Sequence, residues 1–211
     1  MKNISLNING QTLIFDYRKF LFWKDKSTLI ISDLHIGKIT HFIKNGIPLP
    51  IDSSFNNLKT LIFGINDYQP EKIIFLGDLF HSNYNHEWDE WLNFLEHTKI
   101  DFTLVMGNHD KINFKIKNLK TINRLEMTPF SFTHFPDENS EFINMCGHIH
   151  PAFRIRGDAK QNLKLPCFYI SEKQIIFPSY GEFTGNHFIN FNSQKDRILV
   201  ISPNKIFSVK K

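Results

Sequence analysis

The first half of the chain alternates between short apolar runs and longer stretches with helical periodicity. Aliphatic and β-branched residues dominate positions 28–32, 72–76 and 102–106, and such runs predict buried strands. Between them, positions 51–65 and 86–97 carry apolar residues at the three- and four-residue spacing of amphipathic helices. Strands that alternate with helices usually form a parallel sheet on which the helices pack. We therefore predict an α/β arrangement for this half.

Each predicted helix has one apolar face, which we expect to lie against the sheet. Asp52 is the expected N-cap of the first helix. Its expected buried face consists of Phe55, Leu58, Leu61 and Ile62. The expected buried face of the second helix consists of Trp88, Trp91, Leu92 and Leu95. Tryptophans at this spacing indicate a packed core and not a binding surface.

The second half of the chain has short apolar runs separated by turn residues, which is typical of a second, β-rich sheet. The runs occupy positions 130–135, 142–146, 165–170, 174–177, 187–191, 197–201 and 206–209. A strand-like segment at 4–15 is expected to join one of the two sheets. Because no linker rich in Gly, Ser or Pro separates the halves, we predict a single domain over residues 1–211.

Composition places the chain among ordinary globular proteins, with 41% hydrophobic and 22% charged residues. The two cysteines, Cys146 and Cys167, form no CxxC motif, which fits a reducing cytoplasmic compartment. No apolar run is long enough for a transmembrane helix, and the N-terminal residues lack the apolar core of a signal peptide. The net charge of +4 favours anionic partners but is too small to identify one.

Polar side chains that can bind metal ions follow the apolar runs at the points where the strands end. In chain order they are Asp33, His35, Asp78, His81, Asn108, His109, Asp110, His134, His148 and His150. In open α/β sheets, ligands bind beyond the carboxyl ends of the strands. We therefore expect these residues to meet in one site at that edge.

The spacing within this set also suits metal binding. Asp33 and His35 are two residues apart, as are His148 and His150. On an extended backbone such pairs point to the same side, so each pair is expected to aim two ligands at one centre. The glycines at 77, 107 and 147 are expected to let the backbone turn sharply and approach the site. Oxygen and imidazole ligands without thiolate suit Mn, Fe or Zn.

The ordered blocks DLH at 33–35, GD at 77–78, GNHD at 107–110, the single His134 and GHIH at 147–150 resemble the calcineurin-like metallophosphoesterases. The resemblance implies a four-layer sandwich of two mixed sheets flanked by helices, with two divalent metal ions at the strand ends. It implies Mn as the metal, with Fe or Zn as alternatives. It divides the ligands as follows: Asp33, His35 and His150 for one ion, Asn108, His134 and His148 for the other, and Asp78 bridging both.

The same resemblance implies the catalytic roles. His109 would lie over the scissile phosphate as general acid or charge stabiliser, and Asp110 would orient it. A hydroxide that bridges the two metals would attack phosphorus in line with the leaving oxygen. His81 follows Asp78 by three positions, and either it supports the site without binding metal or it is an ordinary surface or packed histidine.

A narrower resemblance covers residues from about 29 to 185. The blocks DLHIGK at 33–38, HF at 41–42, GIP at 46–48, LGDLFHS at 76–82, CGHIHP at 146–151 and PSYGEFTG at 178–185 are similar to the ligase-associated DNA damage response endonucleases of the PdeM family. This implies a DNA phosphodiesterase in DNA repair, associated with a DNA ligase and a DEXH helicase. Lys38, Lys44, Arg154 and Arg156 could contact nucleic-acid phosphates, although solvated surface charge explains them equally well.

Two other classes of function remain open. The same metal chemistry would serve a phosphatase, a phosphodiesterase of nucleotides or cyclic nucleotides, or a pyrophosphatase of a nucleotide-sugar lipid. The absence of an amphipathic membrane-binding stretch disfavours the lipid substrate. A non-catalytic scaffold that binds partner proteins is a further alternative. Such a scaffold would be expected to lose metal ligands, whereas every expected ligand is present in this sequence.

Overall fold

The computed structural model of the chain describes residues 1–47, 52–81, 84–156, 162–189 and 194–209. Some predicted features lie outside these residues, namely Pro48, Ser82, the end of the expected strand at 187–191, and the side chains of Asp52, Phe55 and Arg156. No helix in the described part of the chain is both long enough and apolar enough to cross a membrane.

The first sheet is mixed and has seven strands in chain order. They are β1 (Asn3–Ile8), β2 (Gln11–Asp16), β3 (Leu21–Trp23), β4 (Thr28–Ile31), β5 (Lys72–Phe75), β6 (Asp101–Val105) and β7 (Leu119–Ile122). Strands β1 to β4 are antiparallel, and β4 to β7 run parallel. The connections between parallel strands contain α1 (Lys38–Lys44), α2 (Asp52–Tyr68) and α3 (Glu87–His97).

The second sheet is also mixed, and it is built from the remaining strands. They are β8 (Leu125–Met127), β9 (Phe130–Phe132), β10 (Ile143–Cys146), β11 (Pro151–Arg156), β12 (Asn162–Ile170), β13 (Gln174–Ile176), β14 (His187–Phe188), β15 (Arg197–Ser202) and β16 (Lys205–Val209). The spatial order is β14, β11, β12, β13, β10, β9, β8, while β15 and β16 extend from β12. Strands β9, β10 and β13 are parallel to one another.

Both faces of the first sheet are buried, because successive side chains of a strand point to opposite faces. On β4, Leu29 and Ile31 pack in the core that contains the helices, whereas Ile30 packs in the core between the sheets. On β5, Ile73 packs in the core that contains the helices, and Ile74 packs in the core between the sheets. This double burial explains why the central strands read as continuous apolar runs.

The two-sheet sandwich implied by the family resemblance is confirmed. In the described residues, the buried side chains of α2 and α3 belong to the core on the first sheet. The outer face of the second sheet buries Cys167, Ile198 and Val200 beneath side chains of neighbouring strands. The layers described are therefore helix, sheet and sheet.

The predicted buried face of helix α2 is wrong at one position. Leu61 is fully buried as expected, but Ile62 is 39% exposed. The helix turns Ile65 and Tyr68 towards the core instead, and it continues three residues past the predicted end at 65. The tryptophans of α3, Trp88 and Trp91, are buried as predicted.

Candidate metal centre

The predicted ligands lie in loops that leave the carboxyl ends of strands in both sheets. Their backbone differs from the sequence-based expectation of an extended chain. Asp33, His35, Asp78, His148 and His150 all have positive φ, between 50° and 64°. The i, i+2 pairs therefore do not share a side through strand pleating, and that explanation is wrong. Asp, Asn and His tolerate the left-handed region better than most residues, which makes such loops possible.

Backbone hydrogen bonds between neighbouring loops hold these conformations. The Asp33 amide donates to Gly77 O at 3.2 Å, and the His35 amide donates to Asp78 O at 2.9 Å. From the second sheet, the amide of His148 donates to Asp33 Oδ2 at 3.1 Å. The loops after β4, β5 and β10 are thus joined into one rim that presents its side chains to a common space.

The first cluster of potential ligand atoms belongs to Asp33, His35 and His150, whose donor atoms lie within 4.8 Å of one another. His150 Nδ1 donates to the carbonyl of Gly185 at 2.8 Å, which leaves the lone pair on Nε2. That Nε2 lies 3.1 Å from Asp33 Oδ1. A lone pair on Nε2 and the carboxylate oxygen repel each other at this separation unless a proton or a metal ion lies between them.

The second cluster contains Asp33, Asp78 and His134. His134 Nδ1 donates to Leu76 O at 2.9 Å, so its Nε2 faces the site. This Nε2 lies 3.5 Å from Asp78 Oδ2, 3.2 Å from Asn108 Oδ1 and 3.3 Å from His148 Nδ1. A proton on Nε2 can form a hydrogen bond to only one of these atoms, whereas a divalent ion can be coordinated by all of them.

Asp78 is a member of the second cluster and also approaches His35 of the first. Its Oδ2 is 3.9 Å from His35 Nε2 on one side and 3.5 Å from His134 Nε2 on the other. Asp33 belongs to both clusters, whereas the family resemblance placed it with one ion only. All seven predicted ligands therefore meet in one space, with Asp33 more central than predicted.

The pKa directions agree with a site built for positive charge. Burial acts to raise the pKa of Asp78, but the hydrogen bond and charge of His134 outweigh it and lower that pKa to about 2. Burial acts to lower the pKa of His134, and the contact with Asp78 reverses this, so that its pKa is raised. Burial lowers the pKa of His35 to about 2, assisted by the charge of Lys38, so its ring is neutral and able to bind metal.

His35 provides a further indication that the donor set fits a cation. Its Nδ1 is buried and has no hydrogen-bond partner among the described residues. Buried ring nitrogens normally have a partner. The donor set of carboxylate, imidazole and amide oxygen, with no sulfur, fits Mn, Fe or Zn.

Asp110 does not occupy the position expected for a group that orients the His109 ring. Its Oδ2 accepts hydrogen bonds from the amides of Asp78 and Gly107, each at 2.8 Å, and its Oδ1 accepts one from Phe80 at 3.1 Å. Burial raises its pKa to about 6, against the opposing effect of these amides. The carboxylate therefore braces the backbone of the loops that carry Asp78 and Asn108, which corrects the predicted role.

His109 and His81 line the site beside the first cluster. The His109 amide donates to Asp78 Oδ1 at 2.9 Å, while its ring lies 5.5 Å from the His35 ring. The His81 ring stacks on His109 at 5.3 Å and lies edge-on to His35 at 5.4 Å. Burial lowers the pKa of His81 to about 4, together with the charges of Lys38 and His109. Both rings thus lie at the site, where sequence reasoning placed them.

The three glycines predicted to allow close approach do so. A Cβ at Gly77 would lie 2.2 Å from His134 Nδ1, and one at Gly107 would lie 2.3 Å from Asp78 Oδ1. At Gly147 it would lie 1.8 Å from Ser32 Oγ. Only Gly77 of the three has positive φ, so close approach and not turn geometry is the common requirement.

Sequence reasoning missed the support that the segment at 178–185 gives to the site. Ser179 Oγ and the amide of Gly181 both donate to Asp33 O, at 2.9 and 3.0 Å. Gly185 O accepts from His150, as described above. Ser32 Oγ donates to Asp33 Oδ2 at 2.5 Å. The available signal was the glycine-bounded loop directly after a strand, which no metal-ligand pattern marks.

Comparison with known proteins agrees with this geometry. Residues 26–200 match the family described as calcineurin-like phosphoesterase. The chain belongs to that family. It is therefore a phosphoester hydrolase of a family that uses divalent metal ions, and the residues gathered here are candidates to bind them. No curated protein matches the sequence significantly.

A solved structure shows the same fold. The crystal structure of the Pseudomonas putida nuclease MPE superposes with a TM-score of 0.83 at 24% identity, covering 98% of this chain and 100% of that one. A conserved uncharacterized protein of Streptococcus pneumoniae, described as a predicted phosphoesterase, covers 87% of this chain and 97% of its own at 10% identity. Its TM-score of 0.37 is too low to carry an argument.

Proposed function

We propose that the protein is a dinuclear metal-dependent phosphodiesterase that cleaves DNA as an endonuclease and acts in DNA repair. The observation that carries the proposal is the pair of overlapping ligand clusters, Asp33 with His35 and His150, and Asp33 with Asp78 and His134. The narrower sequence resemblance supports DNA as the substrate. The Pseudomonas putida protein with the similar structure is named a nuclease, which agrees with the proposal of a nucleic-acid substrate for this chain.

The assigned ligands follow from the geometry and the resemblance together. His35 and His150 would hold one ion, His134, His148 and Asn108 the other, and Asp78 would bridge them. Asp33 touches both clusters and would hold the first ion most closely through Oδ1. When bound, two divalent ions supply Lewis acidity for the phosphate oxygens and lower the pKa of water. We propose Mn as the native metal, with Fe and Zn as the alternatives to test.

The other residues orient groups and move protons. Gly185 O and Leu76 O fix the rings of His150 and His134, so the nitrogen facing the site is set before metal binds. His109 stands at the rim of the site and would donate a proton from its imidazole to the leaving oxygen. Lys38, whose pKa is lowered by burial, adds a positive charge beside this rim.

The test uses circular single-stranded DNA, because a circle has no ends and only an endonuclease can open it. Purified protein is assayed separately with Mn, Fe and Zn, and Asp78→Asn is the inactive control. The proposal predicts linear product with wild type in at least one metal and none with Asp78→Asn. Efficient turnover of a small phosphomonoester or cyclic nucleotide with an intact DNA circle would replace DNA with those substrates.

A second comparison tests the division of roles. His109→Ala should keep its metal and slow cleavage by about 10²- to 10⁴-fold, the usual range for a lost general acid. Asp78→Asn should lose metal as well as activity, since Asp78 is proposed to bridge both ions. Metal content measured by elemental analysis distinguishes them, and a His109→Ala variant as metal-poor as Asp78→Asn would contradict the assignment.

The narrower sequence resemblance supports a functional association with a DNA ligase and a DEXH helicase, and the scarcity of cysteine supports a cytoplasmic location. Co-purification of the tagged protein from its own cells, with and without nuclease treatment, tests this association. Recovery of both partners after nuclease treatment would support direct contact, and recovery of neither would remove them from the proposal.

A further inference from the structure

A cluster of two cations and one aromatic ring lies on the second sheet, next to the candidate metal centre. The guanidinium carbon of Arg154 is 4.3 Å from the centroid of the Phe188 ring, and the ammonium of Lys164 is 4.6 Å from it. Phe188 is 47% exposed, and both cationic residues are exposed. We infer that this Arg154–Lys164–Phe188 cluster binds the DNA strand that flanks the scissile phosphate; this inference rests on the proposed function.

The register of the strands brings the three side chains together. Arg154 on β11 pairs directly with Lys164 on β12, and Phe188 on β14 pairs with Ala152 on β11. Residues 152 and 154 point to the same face, because side chains alternate along a strand. The cluster is therefore built on paired strands, which hold its members more firmly than a loop would.

Direct contacts connect the cluster to the metal centre. His150 is followed immediately by β11, and the amide of His187 donates to His150 O at 2.9 Å. The ring of His150 donates to Gly185 O. The ammonium of Lys164 donates to Asn186 O. The four residues at 185–188 thus contact both the predicted metal ligand and the cationic cluster.

The charges of the cluster lack a carboxylate partner. Within the described ranges, neither Arg154 nor Lys164 forms an ion pair with an acidic side chain. Two like charges drawn to one ring are stabilised by the negative face of that ring, but they still repel each other. An anion beside them removes this repulsion. Phosphates are the anions that a DNA strand would supply, and guanidinium suits their oxygens well.

The distance from the metal centre suits a few nucleotides. From Pro151 to Arg154, three steps of extended strand span about 10 Å. A stacked nucleic-acid strand advances about 3.4 Å per nucleotide, so the cluster would meet the strand roughly three nucleotides from the cleavage point. A dinucleotide is too short to reach it. The cluster should therefore affect long DNA and leave small substrates unchanged.

The experiment compares Arg154→Ala/Lys164→Ala with wild type on three substrates: a 30-nucleotide single strand, a dinucleotide and bis-p-nitrophenyl phosphate. The matched control is Lys72→Ala/Lys99→Ala, which also removes two exposed cations. These lie at the amino ends of β5 and β6, opposite the site. A third variant, Arg154→Lys/Lys164→Arg, keeps the charge.

The expected result is a rise in KM for the long strand of about tenfold or more in the alanine variant, as for lost contacts to charged groups. Its kcat/KM on the two small substrates should match wild type, which also shows that the variant is folded. The control and the charge-keeping variant should cleave the long strand normally. Anisotropy of labelled DNA in EDTA should show a salt dependence flatter by about 1.4, at 0.7 per lost phosphate contact.

Equal KM values for the alanine and control variants on long DNA would overturn the inference. Failure of the proposed function looks different, because wild type itself would then hydrolyse bis-p-nitrophenyl phosphate and leave both DNA substrates intact.

Discussion

Replacing Asp110 with asparagine separates a residue that braces the backbone from one that orients the His109 ring. The asparagine keeps the size of the side chain and one acceptor oxygen. Its best placement leaves that oxygen between the amides of Asp78 and Gly107, and turns its own amide towards the Phe80 N–H. The side-chain amide of the asparagine and the Phe80 N–H are both donors, and they then face each other in the interior, since residue 110 is only 6% exposed.

The magnitude follows from these three hydrogen bonds. Leaving one buried donor unsatisfied costs about 1–3 kcal/mol, and bonds to a charged acceptor are worth about 1.5–3 kcal/mol each. One bond is lost and two lose their charge assistance, but the asparagine also relieves the burial cost that raises the pKa of Asp110, so we expect a net loss of about 1–3 kcal/mol in the free energy of unfolding. For a domain of this size, that lowers Tm by roughly 2–12 °C.

The assay is thermal and urea unfolding at pH 8, where Asp110 with its pKa of about 6 is ionised, combined with metal analysis and DNA cleavage. Asp110→Asn should be less stable, bind metal more weakly and cleave slowly. The control Asp101→Asn, at the exposed start of β6, should stay within about 0.5 kcal/mol of wild type. Wild-type stability and metal content, with cleavage as slow as that of His109→Ala, would refute the bracing role. In a His109→Ala background, Asp110→Asn should still lower metal affinity.

Two further substitutions test the packing. Gly147→Ala places a Cβ 1.8 Å from Ser32 Oγ, so it should lower the free energy of unfolding by about 1–3 kcal/mol and weaken metal binding. In the control Gly185→Ala, the added Cβ meets open space. Equal metal affinities of the two variants, measured by calorimetry, would refute the close packing at Gly147. Leu61→Ala should cost about 2–5 kcal/mol in urea unfolding, since its side chain is fully buried. Ile62→Ala, beside it on α2 but exposed, should cost under about 1 kcal/mol, and a reversed order would mean that the face of α2 is misassigned.

The central strands and the location of the site could be predicted from the sequence for definite physical reasons. Strands β4, β5 and β6 are buried on both faces, so their apolar runs stand out without any knowledge of tertiary structure. The ligands follow those runs, and the carboxyl ends of parallel strands meet at one edge. Short strands such as β3, which has three residues, give no comparable signal.

Helix α1 could not be predicted, because its start is stabilised by a distant residue. Gly37 precedes it in the left-handed region and provides no side-chain cap. The carboxylate of Glu87 instead accepts hydrogen bonds from the amides of Gly37 and Thr40. A cap that comes from the start of α3 leaves no local pattern in the sequence around α1.

The backbone of the ligand loops was also beyond sequence reasoning. Asp33 and His35 are held in the left-handed region by the amide–carbonyl hydrogen bonds that pair their loop with the one carrying Asp78. Those partners lie more than 40 residues away. The residues that gather at the site could therefore be predicted from motif and order, whereas their geometry and the bracing by Asp110 depend on non-local contacts.

We propose that two metal ions share this site through Asp78. The most direct measurement is equilibrium dialysis of metal-free protein against Mn, for wild type and Asp78→Asn, with bound metal counted per chain. We expect two ions per wild-type chain and a loss of affinity at both sites in Asp78→Asn. Fewer than one ion per wild-type chain, or an Asp78→Asn variant that still binds two ions as tightly, would contradict it.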